Sequence, residues 1–533
     1  MALLDIQNLH LSIGGAEILR DINLSVEAGK IVAIVGESGS GKSMTSSAVM
    51  GLLPDGTKTS GKIWFADEDL SEKSEAEMCQ VRANSLGMVF QEPMTALNPV
   101  ETIGAQVIEA IKLSEPKLSW AEIRERAAQT LHRVGLDGER FPLTTYPHKL
   151  SGGQRQRVVI AIAISQKPKL LIADEPTTAL DVTTQEKILA LLRKLVDRDN
   201  MGMLLISHNL AVVGDVADHI IIMKDGEIVE RGDVPELFGS LEHEYSKALF
   251  AAAASKGATS KFIADSAGYI LEVNNLSKDY KIAGGKTLKA VNDVSFKIKN
   301  GENVGLVGES GCGKSTLSRC ILGLEEISKG EVLLRGKTFK GERELRSHIN
   351  VVFQDPYGSF NPRHTVGRIV AEPFYLMKGK LTKKQESEKI VSLLTQVGLS
   401  EGDVDKYPHE FSGGQRQRIA IARALITEPD LIVLDEATSA LDVLIRQEIL
   451  DLLEKLSERH GISYLFISHD LATVRDITDR LLVMKDGVIV EEGTTANIYA
   501  RPQHPYTKAL LAASPDITKV MKNNKENPNE TQL

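Results

Sequence analysis

The chain repeats itself. GESGSGK at Gly36–Lys42 returns as GESGCGK at Gly308–Lys314, and SGGQRQR at Ser151–Arg157 returns at Ser412–Arg418. ISHNL at Ile206–Leu210 returns as ISHDL at Ile467–Leu471. The repeat distance of about 270 residues is far longer than the ~20–50 residues of a solenoid unit, so the copies read as two homologous domains. The distance shortens along the copies, which gives the first domain small extra loops. The expected domains are residues 1–254 and 269–514. Between them SKGATSKFIADSA is small and polar and reads as a linker, 255–268. The run ending KNNKENPNETQL is polar and rich in Asn, and the tail 515–533 reads as disordered.

Each half alternates strand, Gly-rich loop, helix, a helical middle and further strands. KIVAIVGES and ENVGLVGES are short apolar runs ending in glycine, the signature of a buried parallel strand. KLLIADE and LIVLDE are two more, with acids at the C-terminal edge where open α/β sheets bind ligands. The fold class expected is therefore α/β, in two tandem units.

Gly36-Glu-Ser38-Gly39-Ser-Gly41-Lys42-Ser43 and Gly308-Glu-Ser310-Gly311-Cys-Gly313-Lys314-Ser315 both fit GxxxxGK[ST]. Such glycines let successive backbone N–H groups turn around phosphate oxygens, and the next helix adds its positive end. Lys42 and Lys314 are expected to reach the β- and γ-phosphates of ATP, and Ser43 and Ser315 to ligate Mg2+. Asp174 and Asp435 end apolar strands, where a metal-supporting carboxylate belongs. Glu175 and Glu436 follow directly and can hold the attacking water as base or orienting group. A plain helix cap is the other reading of these acids. Gln91 and Gln354 follow another short apolar strand, and a neutral amide can touch Mg2+ or the water and leave without stranding a charge. Alone, either glutamine would read as a loop residue. His208 and His469 follow apolar strands and can hydrogen-bond a γ-phosphate; their repetition in register outweighs a structural role. Ser151-Gly-Gly153-Gln154 and Ser412-Gly-Gly414-Gln415 each open a helix with a good N-cap and glycines that admit a phosphate.

Composition removes other classes. A net charge of −9 offers no bulk attraction to nucleic acid or an anionic membrane surface. Cys79, Cys312 and Cys320 have no ligand spacing, so neither a disulfide framework nor a zinc site is expected. MALLDIQNLHLSIGG lacks a basic start and a long apolar run, so no secretory signal is expected. No window approaches ~18 apolar residues, so a membrane role needs partner chains.

Leu150–Gln154 and Phe411–Gln415, with GxxxxGKS, DE and SH in this order, make the chain resemble the ATP-binding subunits of ABC transporters over nearly its whole length, twice. The resemblance implies two P-loop NTPase domains, each a mixed sheet core with a helical subdomain, packed head to tail. It places Lys42, Ser43, Gln91, Asp174, Glu175 and His208 opposite Ser412, Gly414 and Asp442, and Lys314, Ser315, Gln354, Asp435, Glu436 and His469 opposite Ser151, Gly153 and Asp181. QEPMTALNP, QDPYGSFNP, YPHKLSGGQ, YPHEFSGGQ and HPYTKALLAAS resemble the dipeptide, oligopeptide and nickel importer ATPases, with HEYSKALF a weaker copy of the last. The fused arrangement resembles the ATPases of microcin C, peptide and glutathione importers. That implies a peripheral protein on the cytoplasmic face of the inner membrane, docked on two integral membrane permease subunits fed by an extracytoplasmic solute-binding protein, with cargo choice left to those partners. Several relatives carry a cysteine cluster after the histidine motif; this chain has no cysteine after Cys320, so no iron–sulfur cluster is expected, and no nucleic-acid partner. Tyr280 in LSKDY stands where the family places a ring under adenine, though an ordinary strand aromatic would look the same; the first half has Ile13 there. Ala437 stands where the first half has Pro176, with little loss expected. The competing function is a soluble ABC-type translation factor acting on the ribosome, which would carry a long charged helical linker that 255–268 does not resemble.

Overall fold

The computed structural model describes residues 2–90, 93–178, 180–234, 236–254, 268–281, 285, 287–377, 381–439 and 441–514. Gln91, the linker residues 255–267 and the tail 515–533 lie outside the described residues. The chain divides into two compact units, one built on 2–180 and 184–254, the other on 268–514.

The first unit has ten strands: β1 (Leu4–Ile13), β2 (Ala16–Val26), β3 (Ile31–Val35), β4 (Thr57–Phe65), β5 (Glu68–Asp69), β6 (Leu86–Val89), β7 (Leu170–Asp174), β8 (Gly202–Ser207), β9 (His219–Lys224) and β10 (Glu227–Asp233). They form a four-stranded sheet, β2-β1-β4-β5, and a six-stranded sheet, β10-β9-β3-β8-β7-β6. The first is antiparallel, with β1 closing on β2 through Gly14 and Gly15 at φ 59 and 90, the left-handed backbone that a two-residue hairpin demands. In the second sheet β3 runs parallel to β8 and β9, and β7 parallel to β6 and β8. Only β10 is antiparallel there, on β9. The parallel core strands IVAIV, LLIAD and GMLLIS are buried at every position, because both faces are covered and no polar side is needed. Leu4, Ile6 and Val26 of the first sheet pack with Ile34, Ile172 and Ile206 of the second, and Val49 of the helix Lys42–Met50 joins them.

Between β6 and β7 lie the helices of the subdomain, Ile103–Ser114 and Trp120–Arg133. The second starts at a capping box: Ser119 N–H donates to Glu122 Oε2 at 2.8 Å, and Glu122 N–H returns to Ser119 Oγ at 3.4 Å.

The second unit repeats the plan with β11 (Tyr269–Lys281), β12 (Thr287–Lys299), β13 (Asn303–Val307), β14 (Lys329–Leu334), β15 (Lys337–Thr338), β16 (Ile349–Val352), β17 (Leu431–Asp435), β18 (Ser463–Ser468), β19 (Arg480–Lys485) and β20 (Val488–Thr494). Its sheets are β12-β11-β14-β15 and β16-β17-β18-β13-β19-β20. The match extends to irregularities: Asn8 at φ 48 and Asn275 at φ 47 mark the same break in β1 and β11. Ile13 lies as far beyond Asn8 as Tyr280 lies beyond Asn275, so the two side chains occupy one position.

The duplication is not exact in its packing. Lys278 Nζ reaches Glu325 Oε2 at 3.0 Å and lies 5.0 Å from the Tyr280 ring. The corresponding residues of the first unit are Leu11, in its apolar core, and Leu53, half-buried against that core. An ion pair in one copy stands where the other copy has two leucines.

Candidate active site

Each phosphate-type loop follows a buried strand, β3 or β13, and runs into a helix, Lys42–Met50 or Lys314–Ile321. Glycine is required at both helix starts. Gly41 has φ 99 with Leu19 Cδ2 only 2.5 Å from an added Cβ, and Gly313 has φ 109 with Ala290 O at 2.3 Å. Gly39 and Gly311 face open space, which is the side a ligand can enter. Lys42 Nζ donates to Gly36 O at 2.8 Å and Glu37 O at 2.7 Å, while Lys314 Nζ donates to Gly308 O at 2.7 Å and Glu309 O at 2.9 Å. Both ammonium groups are buried, at 6% and 5% exposure, so each loop folds around its own cation. Ser38 and Ser310 are exposed on the loops.

Asp174 and Asp435 end β7 and β17. Ser43 Oγ donates to Asp174 Oδ1 at 3.3 Å. Burial, then the neighbouring Glu175 charge, holds the Asp174 carboxyl above its ordinary range against the pull of Ser43 and Lys42. Asp435 is raised in the same way, by burial first and then by Glu436. No cluster of three His, Cys, Asp or Glu side chains occurs among the described residues. In the first unit the donor set is one hydroxyl and one carboxylate, a single negative charge against a divalent cation. It suits a hard ion that keeps its waters and draws further oxygens from phosphate, which is how Mg2+ binds.

The next residue turns sharply. Glu175 has φ 46 and Glu436 φ 51, left-handed backbone that costs a non-glycine residue about 1–2 kcal/mol. Two bonds hold each turn: Glu175 N–H donates to Ile206 O at 3.0 Å and Thr178 N–H to Glu175 O at 3.2 Å, and Glu436 N–H donates to Ile467 O at 2.9 Å and Ser439 N–H to Glu436 O at 3.1 Å. The turn carries each carboxylate off the strand line toward the histidine after β8 or β18. Glu175 Oε1 lies 3.2 Å from His208 Nδ1, and Glu436 Oε1 lies 3.3 Å from His469 Nδ1. Burial pushes the Glu175 carboxyl up, but the hydrogen bond and charge of His208, with Thr178 and Lys42, leave it below the ordinary range. Glu436 is lowered in the same balance, with His469 and Lys314 outweighing burial. Thr178 Oγ1 also donates to Glu175 Oε2 at 2.9 Å, whereas Ser439 Oγ donates to the Glu436 carbonyl at 2.9 Å.

Gln354 sits in an exposed bend after β16, and among the described residues no hydrogen bond joins it to Asp435 or Glu436. Ser151 and Ser412 are N-caps of the helices Gly152–Ile164 and Gly413–Leu425. Gln154 and Gln415 complete capping boxes: their side chains accept from Ser151 N–H at 2.9 Å and Ser412 N–H at 3.0 Å. The structure gives both glutamines a helix-starting part. An added Cβ on Gly153 would stand 2.3 Å from Thr184 Cγ2, and on Gly414 2.5 Å from Ile445 Cγ2, so glycine here is fixed by packing against the next helix. Asp181 Oδ1 accepts from Thr183 Oγ1 at 2.9 Å, and Asp442 caps the helix Val443–His460, accepting from Ile445 N–H at 3.0 Å.

One pair of site residues escapes the motif reading. Tyr245 Oη accepts the N–H of Glu37 at 3.0 Å, and Tyr506 Oη accepts the N–H of Glu309 at 2.9 Å. Both tyrosines come from the repeated HEY and HPY segments, whose recurrence was the available signal. A second difference separates the halves. Arg446 Nη1 pairs with Asp470 at 2.7 Å and Nη2 donates to Leu441 O at 3.1 Å. The first unit has Gln185, bonded to Thr177 Oγ1 at 3.2 Å, and Asn209, which caps Leu210–Gly214.

The family described as "ABC transporter" matches residues 19–178 and 291–439, and the one described as "Oligopeptide/dipeptide transporter, C-terminal region" matches 490–533. The chain is 43% identical to the "Peptidoglycan transport ATP-binding protein YejF" of Agrobacterium fabrum, over 94% of this chain and 93% of that protein. It is 42% identical to the "Glutathione import ATP-binding protein GsiA" of Escherichia coli K12, covering 93% of this chain and 86% of that one. The Pectobacterium atrosepticum protein of that name is 43% identical over the same shares, 93% and 86%. With the family matched in both halves and along nearly the full length, the chain belongs to the ABC transporter family, as an ATPase with two tandem ATP-binding cassettes.

Proposed function

We propose that the chain powers import of peptides or related small solutes, glutathione-like ones included, through a membrane permease. The observation that carries this is the end-to-end similarity to two transport ATP-binding proteins together with the oligopeptide/dipeptide C-terminal region at 490–533. No helix among the described residues is long and apolar enough to cross a membrane, which is why permease subunits are needed. In this reading two integral membrane subunits hold the ATPase on the cytoplasmic face of the inner membrane, and an extracytoplasmic solute-binding protein delivers cargo. The translation-factor alternative gains no support, since the relatives are named for transport.

ATP binds at two composite sites of a head-to-tail sandwich. One takes Gly36, Ser38, Gly39, Gly41, Lys42, Ser43, Gln91, Asp174, Glu175 and His208, faced by Ser412, Gly414, Gln415 and Asp442. The other takes Tyr280, Gly308, Ser310, Gly311, Gly313, Lys314, Ser315, Gln354, Asp435, Glu436 and His469, faced by Ser151, Gly153, Gln154 and Asp181. Lys42 and Lys314 exchange loop carbonyls for phosphate oxygens, a trade of neutral for charge-assisted acceptors. Ser43, Asp174 and Gln91, or Ser315, Asp435 and Gln354, would hold Mg2+, which would supply positive charge against the phosphates. Glu175 and Glu436, kept ionised by their histidines, orient the attacking water and accept its proton at a carboxylate oxygen. His208 and His469 stand at the strand ends to hydrogen-bond the γ-phosphate.

The test is reconstitution. With its permease pair in vesicles, the chain should pellet with the membrane and show ATP turnover stimulated by the binding protein loaded with peptide. Membrane attachment of the isolated chain that survives a high-salt wash, or turnover stimulated by ribosomes instead, would refute the reading.

A further inference from the structure

The last described helix of each unit is fastened to the phosphate loop by one hydroxyl. In the first unit Glu230 of β10 accepts the N–H groups of Glu242 at 2.8 Å and His243 at 3.4 Å. His243 Nδ1 then accepts Tyr245 N–H at 3.1 Å and so starts the helix Glu244–Ala253. Tyr245, 6% exposed with Lys224 Nζ 5.2 Å from its ring, carries its hydroxyl back to Glu37 N–H. The second unit repeats each link. Glu491 of β20 accepts from Gln503 N–H at 2.8 Å and His504 N–H at 3.0 Å, and His504 Nδ1 accepts Tyr506 N–H at 3.2 Å. Tyr506 is 8% exposed, Lys485 Nζ lies 5.0 Å from its ring, and its hydroxyl takes Glu309 N–H.

The bonded amides are adjacent to Gly36 and Gly308, whose carbonyls hold Lys42 and Lys314. At Gly36 an added Cβ would lie 2.3 Å from Met223 O, and at Gly308 2.2 Å from Met484 O. The glycine therefore sits against β9 or β19, and the tyrosine pins the following peptide from outside. The loop is held on two sides before any phosphate arrives.

We propose that Tyr245 and Tyr506 are positioning residues of the two ATP sites, through which the C-terminal segment of each unit presets its phosphate loop. This gives the segment from Glu491 onward, matched as the oligopeptide/dipeptide transporter C-terminal region, a part in nucleotide affinity. The inference rests on the phosphate-loop assignment under Proposed function. A preset loop binds without the entropy of ordering itself, so loosening it raises Kd and KM while the chemistry at the bound phosphate is unchanged.

The experiment uses the full chain and ATP titration. Lys42→Ala disables the first loop, and the fall in stoichiometry from two ATP to one checks the loop assignment separately. In that background Tyr506→Phe removes one oxygen and keeps the ring, its burial and its lysine contact. The expected result is Kd and KM for ATP raised about five-fold, with kcat within two-fold and the melting temperature lowered by no more than about 4 °C. Tyr245→Phe in the Lys314→Ala background should do the same at the other site. Tyr506→Phe should leave the first site's Kd alone when measured with Lys314→Ala. Kd within two-fold of the parent in both phenylalanine variants overturns the proposal. So does an equal loss at both sites from one substitution, or a change in kcat with constant KM.

Discussion

The imidazole Nδ1 of His208 stands 3.2 Å from Glu175 Oε1, and the same pair recurs at His469 and Glu436 at 3.3 Å. Each glutamate leaves its strand through left-handed backbone before it meets the histidine. His469→Ala should therefore lower turnover at the second site by about 10²-fold, the size of a lost hydrogen-bond donor to developing charge, with ATP binding largely kept. Single-turnover kinetics in a Glu175→Gln background isolates the effect. A loss under three-fold would make the histidine a packing residue.

Adenine affinity should differ between the sites. Tyr280 offers a flat ring where Ile13 offers an aliphatic edge packed partly on the core. Base stacking is worth ~1–3 kcal/mol, part of which isoleucine recovers by burial, leaving about five-fold in Kd in favour of the Lys314 site. Ile13→Tyr should tighten the Lys42 site and Tyr280→Ala loosen the other. Equal isolated affinities, unmoved by Ile13→Tyr, would refute it.

The motifs were legible because each is a run of adjacent residues whose chemistry needs that order. The strand-loop-helix frame followed from the unbroken apolar runs at Ile31–Val35 and Leu170–Asp174. What a single run could not show was contact across the fold. Tyr506 reaches Glu309 over most of a domain, and Arg446 finds Asp470 two elements later. Nor did sequence betray the positive φ at Glu175, since nothing in the residue type asks for it. Gln154 and Gln415 each lend a side-chain oxygen to a capping box, a use that S-x-x-Q itself announces.

The Arg446–Asp470 pair should behave as a mostly buried ion pair, its side chains 16% and 28% exposed. Arg446→Gln strands a carboxylate and should destabilise the second unit by about 2 kcal/mol. Adding Asp470→Asn restores the composition of the first unit, Gln185 with Asn209, and should recover most of that loss, since asparagine keeps the N-cap. Denaturant midpoints of the two singles and the double decide it; additive losses would contradict it.

Asp218 sets an acid limit on the first unit. Its carboxylate accepts Ile31 N–H at 2.8 Å and pairs with Arg193 at 2.8 Å and Lys30 at 3.3 Å. Burial works against ionisation, but these partners hold the group below its ordinary range. A depressed folded pKa means stability that is present above the unfolded value of ~3.9 and is lost as pH falls through the folded one. Asp218→Asn should therefore cost about 2 kcal/mol at pH 7 and progressively less below about pH 4. A difference that does not shrink with acid would show that Asp218 acts through shape alone.

If the two strand-end glutamates drive hydrolysis, the Glu175→Gln, Glu436→Gln protein must lose ATP turnover. Glutamine preserves shape and removes the proton acceptor. ATP should still bind at both sites, while steady-state turnover falls by at least about 10²-fold. Turnover at the parent rate in that double variant would show that neither glutamate acts on the attacking water.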